Sequence, residues 1–384
     1  MKKIKPLVIV LFVVFNSCNK KDSTFNINSS ETAKLILVVT REFRPATSTF
    51  SDCLTAFNVD GSIAWKRIDL GNGYFETRPY YHNGIIYFLT IASTGNYVYA
   101  LDPATGSTIW KITNTSQKLV APSFYKDTLY CGSSGSGNFI NAYGINTGNL
   151  LSQLPLPNPD QYPVGKIDAN VMYIKSSYST NLTALNLDTK TIKWTRQFNG
   201  NPPYDGVNTI DSLVFFPTSS GVIALNKNTG ATVWSKTGYN FYFMQVANNL
   251  LYLADANNGV LVLNAAGNIV WQNVFIQGSG TGPNLYGNNI LVVSTDTSPY
   301  YSSLNANTGV INWKKNYTGI YSYFIGIGNI IYALRDKNLN GTASSYIVRI
   351  DSQTGAIKDS ILVSGDEMSN MSIINSNNEM KYPD

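Results

Sequence analysis

Eight times along the chain a short apolar run is followed by a second, then by a polar turn and a third run. The leading runs occupy residues 35–39, 85–89, 129–132, 171–174, 213–216, 250–253, 290–293 and 330–334. They are rich in Val, Ile, Leu, Phe and Tyr and are bounded by Asn, Asp, Gly and Ser, the pattern of strands joined by hairpins. Seven of them follow a turn signal such as Asn83-Gly84, Lys126-Asp127 or Asn248-Asn249, and ahead of each turn stands one more strand, as at 79–81, 123–125 and 243–246. The full unit is therefore four antiparallel strands, A to D.

The clearest hairpin between strands C and D is 99–110, YALDPATGSTIW. Pro103 presets φ for the first corner of a type I turn, Asp102 can accept from the turn amides, and Gly106 can take φ > 0 without a Cβ penalty. Aligned copies read AFNVDGSIAW at 56–65, AYGINTGNLLS at 142–152, ALNLDTKTIKW at 184–194 and ALNKNTGATVW at 224–234. Three more read VLNAAGNIVW at 262–271, SLNANTGVINW at 303–313 and RIDSQTGAIKD at 349–359. The glycine column is Gly61, Gly106, Gly148, Gly230, Gly267, Gly309 and Gly355, and it fails only at Lys190. The last column is Trp65, Trp110, Ser152, Trp194, Trp234, Trp271, Trp313 and Asp359, which uses all six tryptophans of the chain at one repeat position. Spacings of 37 to 46 residues fit propeller blades, and the strand-type residues exclude a helical array.

This array fills most of the 384 residues, so a single all-β domain, an eight-bladed propeller of four-stranded antiparallel blades rather than a seven-bladed one, is expected over 34–376. The first unit lacks strand A. The apolar segment 371–374 has no hairpin of its own and is predicted to supply that strand beside 35–39, closing the ring and leaving 377–384 as a tail.

The N-terminus changes the picture of location. Lys2, Lys3 and Lys5 precede an apolar run too short to span a bilayer, and Ser17-Cys18 follows, so 1–17 reads as a secretory signal. A cysteine at that point resembles the bacterial lipoprotein box, which makes Cys18 the expected lipidated residue and 18–33 its polar tether; the alternative is an ordinary signal cleaved nearby. Removing 1–17 takes the net charge from +5 to +2, with 25 basic against 23 acidic residues, too little for nucleic-acid binding. Cys53 and Cys131 fall in non-adjacent blades and are expected to be buried free thiols.

The motif A-x-D-x-x-T-G-x-x-x-W, carried by Ala100, Asp102, Thr105, Gly106 and Trp110, resembles the tryptophan-docking repeat of PQQ-type propellers. The resemblance spans residues 34 to about 375. That family includes quinoprotein alcohol dehydrogenases and the non-enzymatic outer-membrane assembly lipoprotein BamB, both eight-bladed. It implies tryptophan rings packed between blades, a statement about fold and not about chemistry. The quinoproteins' adjacent Cys-Cys pair and C-x-x-C-H haem motif are absent from the sequence, so PQQ is not expected as a cofactor. His82 is the only histidine, beside the Asn83-Gly84 turn, and is expected to be an exposed turn residue.

Two local patterns carry weaker signals. Asp336, Asn338, Asn340 and Gly341 match the first half of a calcium loop, but Ser344 and Ile347 stand where its remaining ligands belong. The glycine-rich stretches 132–137 and 278–282 imitate phosphate loops without opening a helix, so they read as connections. The expected function is a non-catalytic envelope lipoprotein, BamB-like in plan, at the periplasmic or surface face of the outer membrane. The loops from D to A and from B to C share one face, where Tyr162, Tyr204, Tyr300, Tyr301 and Tyr321 are candidates to bind a protein partner. The alternatives are glycan binding or a quinoprotein-like oxidoreductase.

Overall fold

The computed structural model describes residues 31–44, 49–70, 78–92, 95–114, 117–135, 139–156, 163–176, 180–198, 206–218, 220–255, 259–274, 281–294, 300–317, 320–339, 342–363 and 367–382. All regular structure in them is β, in eight antiparallel sheets that follow one another in chain order.

Blade 2 shows the plan: Tyr80–His82, Ile85–Ala92, Gly95–Leu101 and Thr108–Asn114 pair in sequence as strands A to D. Its turn between A and B needs φ > 0 twice, and Asn83 and Gly84 supply it at +49° and +80°. Blades 3 to 8 repeat this order, ending with blade 8 as Ile320–Ile327, Ile330–Leu339, Thr342–Asp351 and Ile357–Val363.

Blade 1 takes its parts from both ends of the chain. Ala33–Arg44, Thr49–Phe57 and Ile63–Arg67 form strands B, C and D, and Glu367–Asn375 pairs with the first of these as strand A. The register Leu35↔Ile374, Ile36↔Ile373, Leu37↔Ser372 and Val38↔Met371 is the clasp expected from the sequence. Two features differ from expectation. Residues 41–44 and 49–53 lengthen strands B and C well beyond the apolar run 35–39, and Met380–Lys381 in the tail pairs with strand A as a fifth strand. That tail ties the two ends of the chain together: Ser376 N donates to Thr32 O at 2.8 Å, Lys34 Nζ to Asn378 Oδ1 at 2.9 Å, and Lys381 pairs with Glu31.

The apolar core lies at the seams where blades face one another, in eight clusters, one for each pair of neighbours. Inner strands therefore bury both faces, and Leu213–Thr218 or Leu250–Asp255 read as continuous apolar runs. Outer strands such as Thr108–Asn114 bury one face only and alternate. On the channel side, polar side chains bridge consecutive A strands. Ser123 Oγ donates to Gly165 O at 2.7 Å, Lys166 Nζ to Asn208 Oδ1 at 3.0 Å, and Asn208 Nδ2 to Met244 O at 2.9 Å. No helix of the described residues is long and apolar enough to cross a membrane.

Candidate functional site

The repeated residues meet in one joint. The tryptophan of each outer strand lies over the C–D turn of the next blade, and its indole N–H donates to a turn carbonyl. Trp65 reaches Pro103 O at 2.8 Å, Trp110 reaches Ile145 O at 2.9 Å, and Trp194 reaches Lys227 O at 3.0 Å. Trp234, Trp271 and Trp313 reach Ala265, Ala306 and Ser352 carbonyls, each at 2.9 Å. The turn glycine lets the ring approach. A Cβ on Gly106 would sit 2.5 Å from Trp65 Cε3, and on Gly148, Gly230, Gly267, Gly309 and Gly355 it would meet the preceding indole at 2.5 to 2.9 Å. These glycines also hold φ between +69° and +83°.

The residue paired with each tryptophan across the hairpin is small: Ala56, Ala100, Ala184, Ala224, Val262 and Ser303. At the seam between blades 8 and 1 the sizes are exchanged, with Arg349 opposite Asp359. Asp359 holds the guanidinium, which donates to Val59 O at 2.6 Å, and Ile361 packs on Gly61. This substitute joint was missed in the sequence, although Arg349 and Asp359 break two columns of the same hairpin.

The sequence candidates scatter. Tyr300 and Tyr301 are not binding-face residues: they lie in strand C of blade 7, 7% and 3% exposed, one in each flanking seam. Their adjacency, read as a loop, is what a strand buried on both faces produces. Tyr301 OH donates to Gly355 O at 3.0 Å and its ring meets Trp313 edge-on. Tyr321 belongs to strand A of blade 8, Ile320–Ile327, while Tyr162 and Tyr204 lie outside the described residues, as does Cys18. His82 is half-buried rather than exposed, stacked on Phe124 of blade 3 with ring centroids 4.6 Å apart, and that burial lowers its pKa.

Asp336 and Asn338 sit in the extended strand Ile330–Leu339, paired with Ser345 and Ala343 across a long hairpin, and Asn340 and Gly341 lie outside the described residues. Gly132 and Gly135 belong to strand B of blade 3 and Gly282 to strand A of blade 7.

Among the described residues no three of His, Cys, Asp and Glu gather where a metal ion would be held. Cys53 and Cys131 form no disulfide and lie buried in separate blades, and burial pushes the Cys131 thiol up to about 12, which keeps it protonated. One buried carboxyl stands out: Asp52 in blade 1, 5% exposed, has Oδ2 without a hydrogen-bond partner among the described residues, and burial raises its pKa to about 6 against the pull of Arg41.

The sequence matches the family described as outer membrane protein assembly factor BamB over residues 36–236 and 219–379. The chain belongs to the BamB family of PQQ-type propellers. Its fold is similar to BamB from Moraxella catarrhalis, at 14% identity and a TM-score of 0.58, covering 79% of this chain and 95% of that one. It is also similar to the dihydro-heme d1 dehydrogenase NirN, at 10% identity and a TM-score of 0.66, covering 90% and 76%. Apo AztD from Citrobacter koseri gives 10% identity and a TM-score of 0.63, covering 91% and 99%. At such identities these likenesses speak for the fold alone. No curated protein sequence matches significantly. The joint thus accounts for all six tryptophans and for six of the seven repeat glycines; the seventh, Gly61, receives Ile361.

Proposed function

We propose that this BamB-family propeller is a non-catalytic scaffold of the bacterial outer membrane, anchored through lipid on Cys18 and binding a protein partner on its loop face. The observation that supports this reading is where the repeated chemistry goes. Every tryptophan is engaged in blade docking, so the motif leaves no repeated side chain to act on a substrate.

The root of the tether supports the orientation. Strand B of each blade starts at the turn end of the ring, and Glu31 and Thr32 are fixed there by Lys381 and Ser376. A chain leaving that end for a membrane keeps the turn face toward the anchor and turns the opposite face, with the D–A and B–C loops, to a partner. Thirteen residues from Cys18 to Glu31 reach at most about 45 Å.

Titration of the purified protein with pyrroloquinoline quinone plus calcium separates this reading from an oxidoreductase. The scaffold reading expects no saturable binding, and one quinone bound per chain would refute it. Membrane fractionation tests the anchor: Cys18→Ala should release the protein in soluble form, and an acylated, membrane-bound variant would refute lipidation at that residue.

A further inference from the structure

Seven of the eight seams carry a bulky side chain that donates to the neighbouring turn: six tryptophans and Arg349. Among the described residues the seam between blades 3 and 4 has no such donor from a C–D hairpin to a turn carbonyl; only Tyr125 and Lys126, at the A–B turn of blade 3, reach the turn residue Asp188. Ser152 occupies the tryptophan position opposite Ala142, so both cross-strand partners are small. On the other side Lys190, at φ +58°, replaces the glycine. Its Cβ points where the other turns admit an indole, so a tryptophan could not dock there in the shared pose. The two exceptions are one event seen from both blades.

Polar groups span the turn face of this seam instead, from the A–B turn of blade 3 to the C–D turn of blade 4. The Asp188 carboxylate of blade 4 accepts from Tyr125 OH at 3.1 Å and Lys126 Nζ at 2.7 Å, both of blade 3, and from Asn170 Nδ2 at 2.9 Å in its own blade. Lys126 and Asp188 are exposed, and exposed ion pairs contribute little and weaken with salt. At the channel the same two blades remain joined by the Ser123–Gly165 hydrogen bond of 2.7 Å. The seam also holds an aliphatic cluster around Ile140, Leu154, Met172 and Leu187.

We propose that this seam is an opening joint of the ring: blades 3 and 4 pivot on their inner strands and part at their outer ones, transiently exposing the aliphatic cluster. A closed ring in which seven seams carry a docked tryptophan or arginine and one relies on an exposed ion pair concentrates its low-energy fluctuation at that one, because local opening follows the contacts that are weakest.

Hydrogen exchange followed by mass spectrometry at low and high salt tests the proposal. Amides of the outer strands Leu150–Pro155 and Thr191–Gln197 should exchange about tenfold faster than those of Thr232–Thr237 and Ile269–Asn273, and faster again at high salt. Installing the missing joint with Ser152→Trp and Lys190→Gly together should bring them down to the common rate, whereas Lys190→Gly alone should not. Equal exchange at all outer strands of the wild type, or fastest exchange at Ile357–Val363 beside blade 1, would overturn the proposal even if the double variant failed to fold.

Discussion

Arg349 donates a hydrogen bond of 2.6 Å to the carbonyl of Val59, the place that an indole N–H takes at six other seams. The two residues are 290 positions apart, and the contact joins blade 8 to the blade that closes the ring. Arg349→Ala removes a charge-assisted bond and leaves Asp359 unpaired, so unfolding free energy should fall by about 2 kcal/mol. Arg349→Lys should recover only part of this, because an ammonium cannot hold Asp359 on two nitrogens and still reach Val59. Denaturant midpoints of the two variants check both statements.

Trp234→Ala should lower stability by roughly 3 to 5 kcal/mol, since the transfer energy of the ring and an unfilled gap at the blade 5/6 seam both count. Ser152→Ala, at the corresponding position of blade 3, should stay within about 0.5 kcal/mol. A calorimetric comparison suffices, and a neutral Trp234→Ala would contradict the docking role of the repeat.

Gly106→Ala meets two obstacles at once, a φ of +69° and a Cβ 2.5 Å from Trp65, and should cost about 2 to 4 kcal/mol. Lys190→Gly has the opposite balance. It relieves a left-handed residue by about 1 kcal/mol and loosens the unfolded chain by a similar amount, so its midpoint should barely move.

Much of this was legible in the sequence because the repeat repeats its errors coherently. The strand order, the A–B turns and the clasp register all follow from apolar runs and turn residues that recur with one period. Tyr300 and Tyr301 were misread because two adjacent tyrosines look like a loop when one face of a strand is assumed to be wet, whereas blades bury both faces. Tyr301→Phe should accordingly cost about 1 kcal/mol through loss of its bond to Gly355 O, measured by thermal unfolding. The Arg349–Asp359 joint was hidden for a different reason. Its parts break the pattern, and only their pairing across strands C and D shows that one exception compensates the other.

Asp52 sets a pH dependence of definite sign. Burial raises its pKa from 3.8 to about 6, so the folded protein holds a proton that the unfolded chain has released between those values. Stability should therefore fall as pH rises from 4 to 6 by on the order of 1 to 2 kcal/mol, with Arg41 limiting the loss. Asp52→Asn should be more stable than wild type above pH 6 and should lack that slope. Equal pH profiles for the two proteins would show that the carboxyl is solvated.

A ring that binds a protein and uses its tryptophans only to hold itself together keeps its partner when one tryptophan is removed. Capture from an envelope extract on immobilised residues 31–384 tests it, with wild type and Trp234→Ala compared at a temperature where both are folded. The same protein partner, in near-stoichiometric amount, is expected on both columns. Loss of that partner from a folded Trp234→Ala protein, or recovery of glycan with no protein, would contradict it.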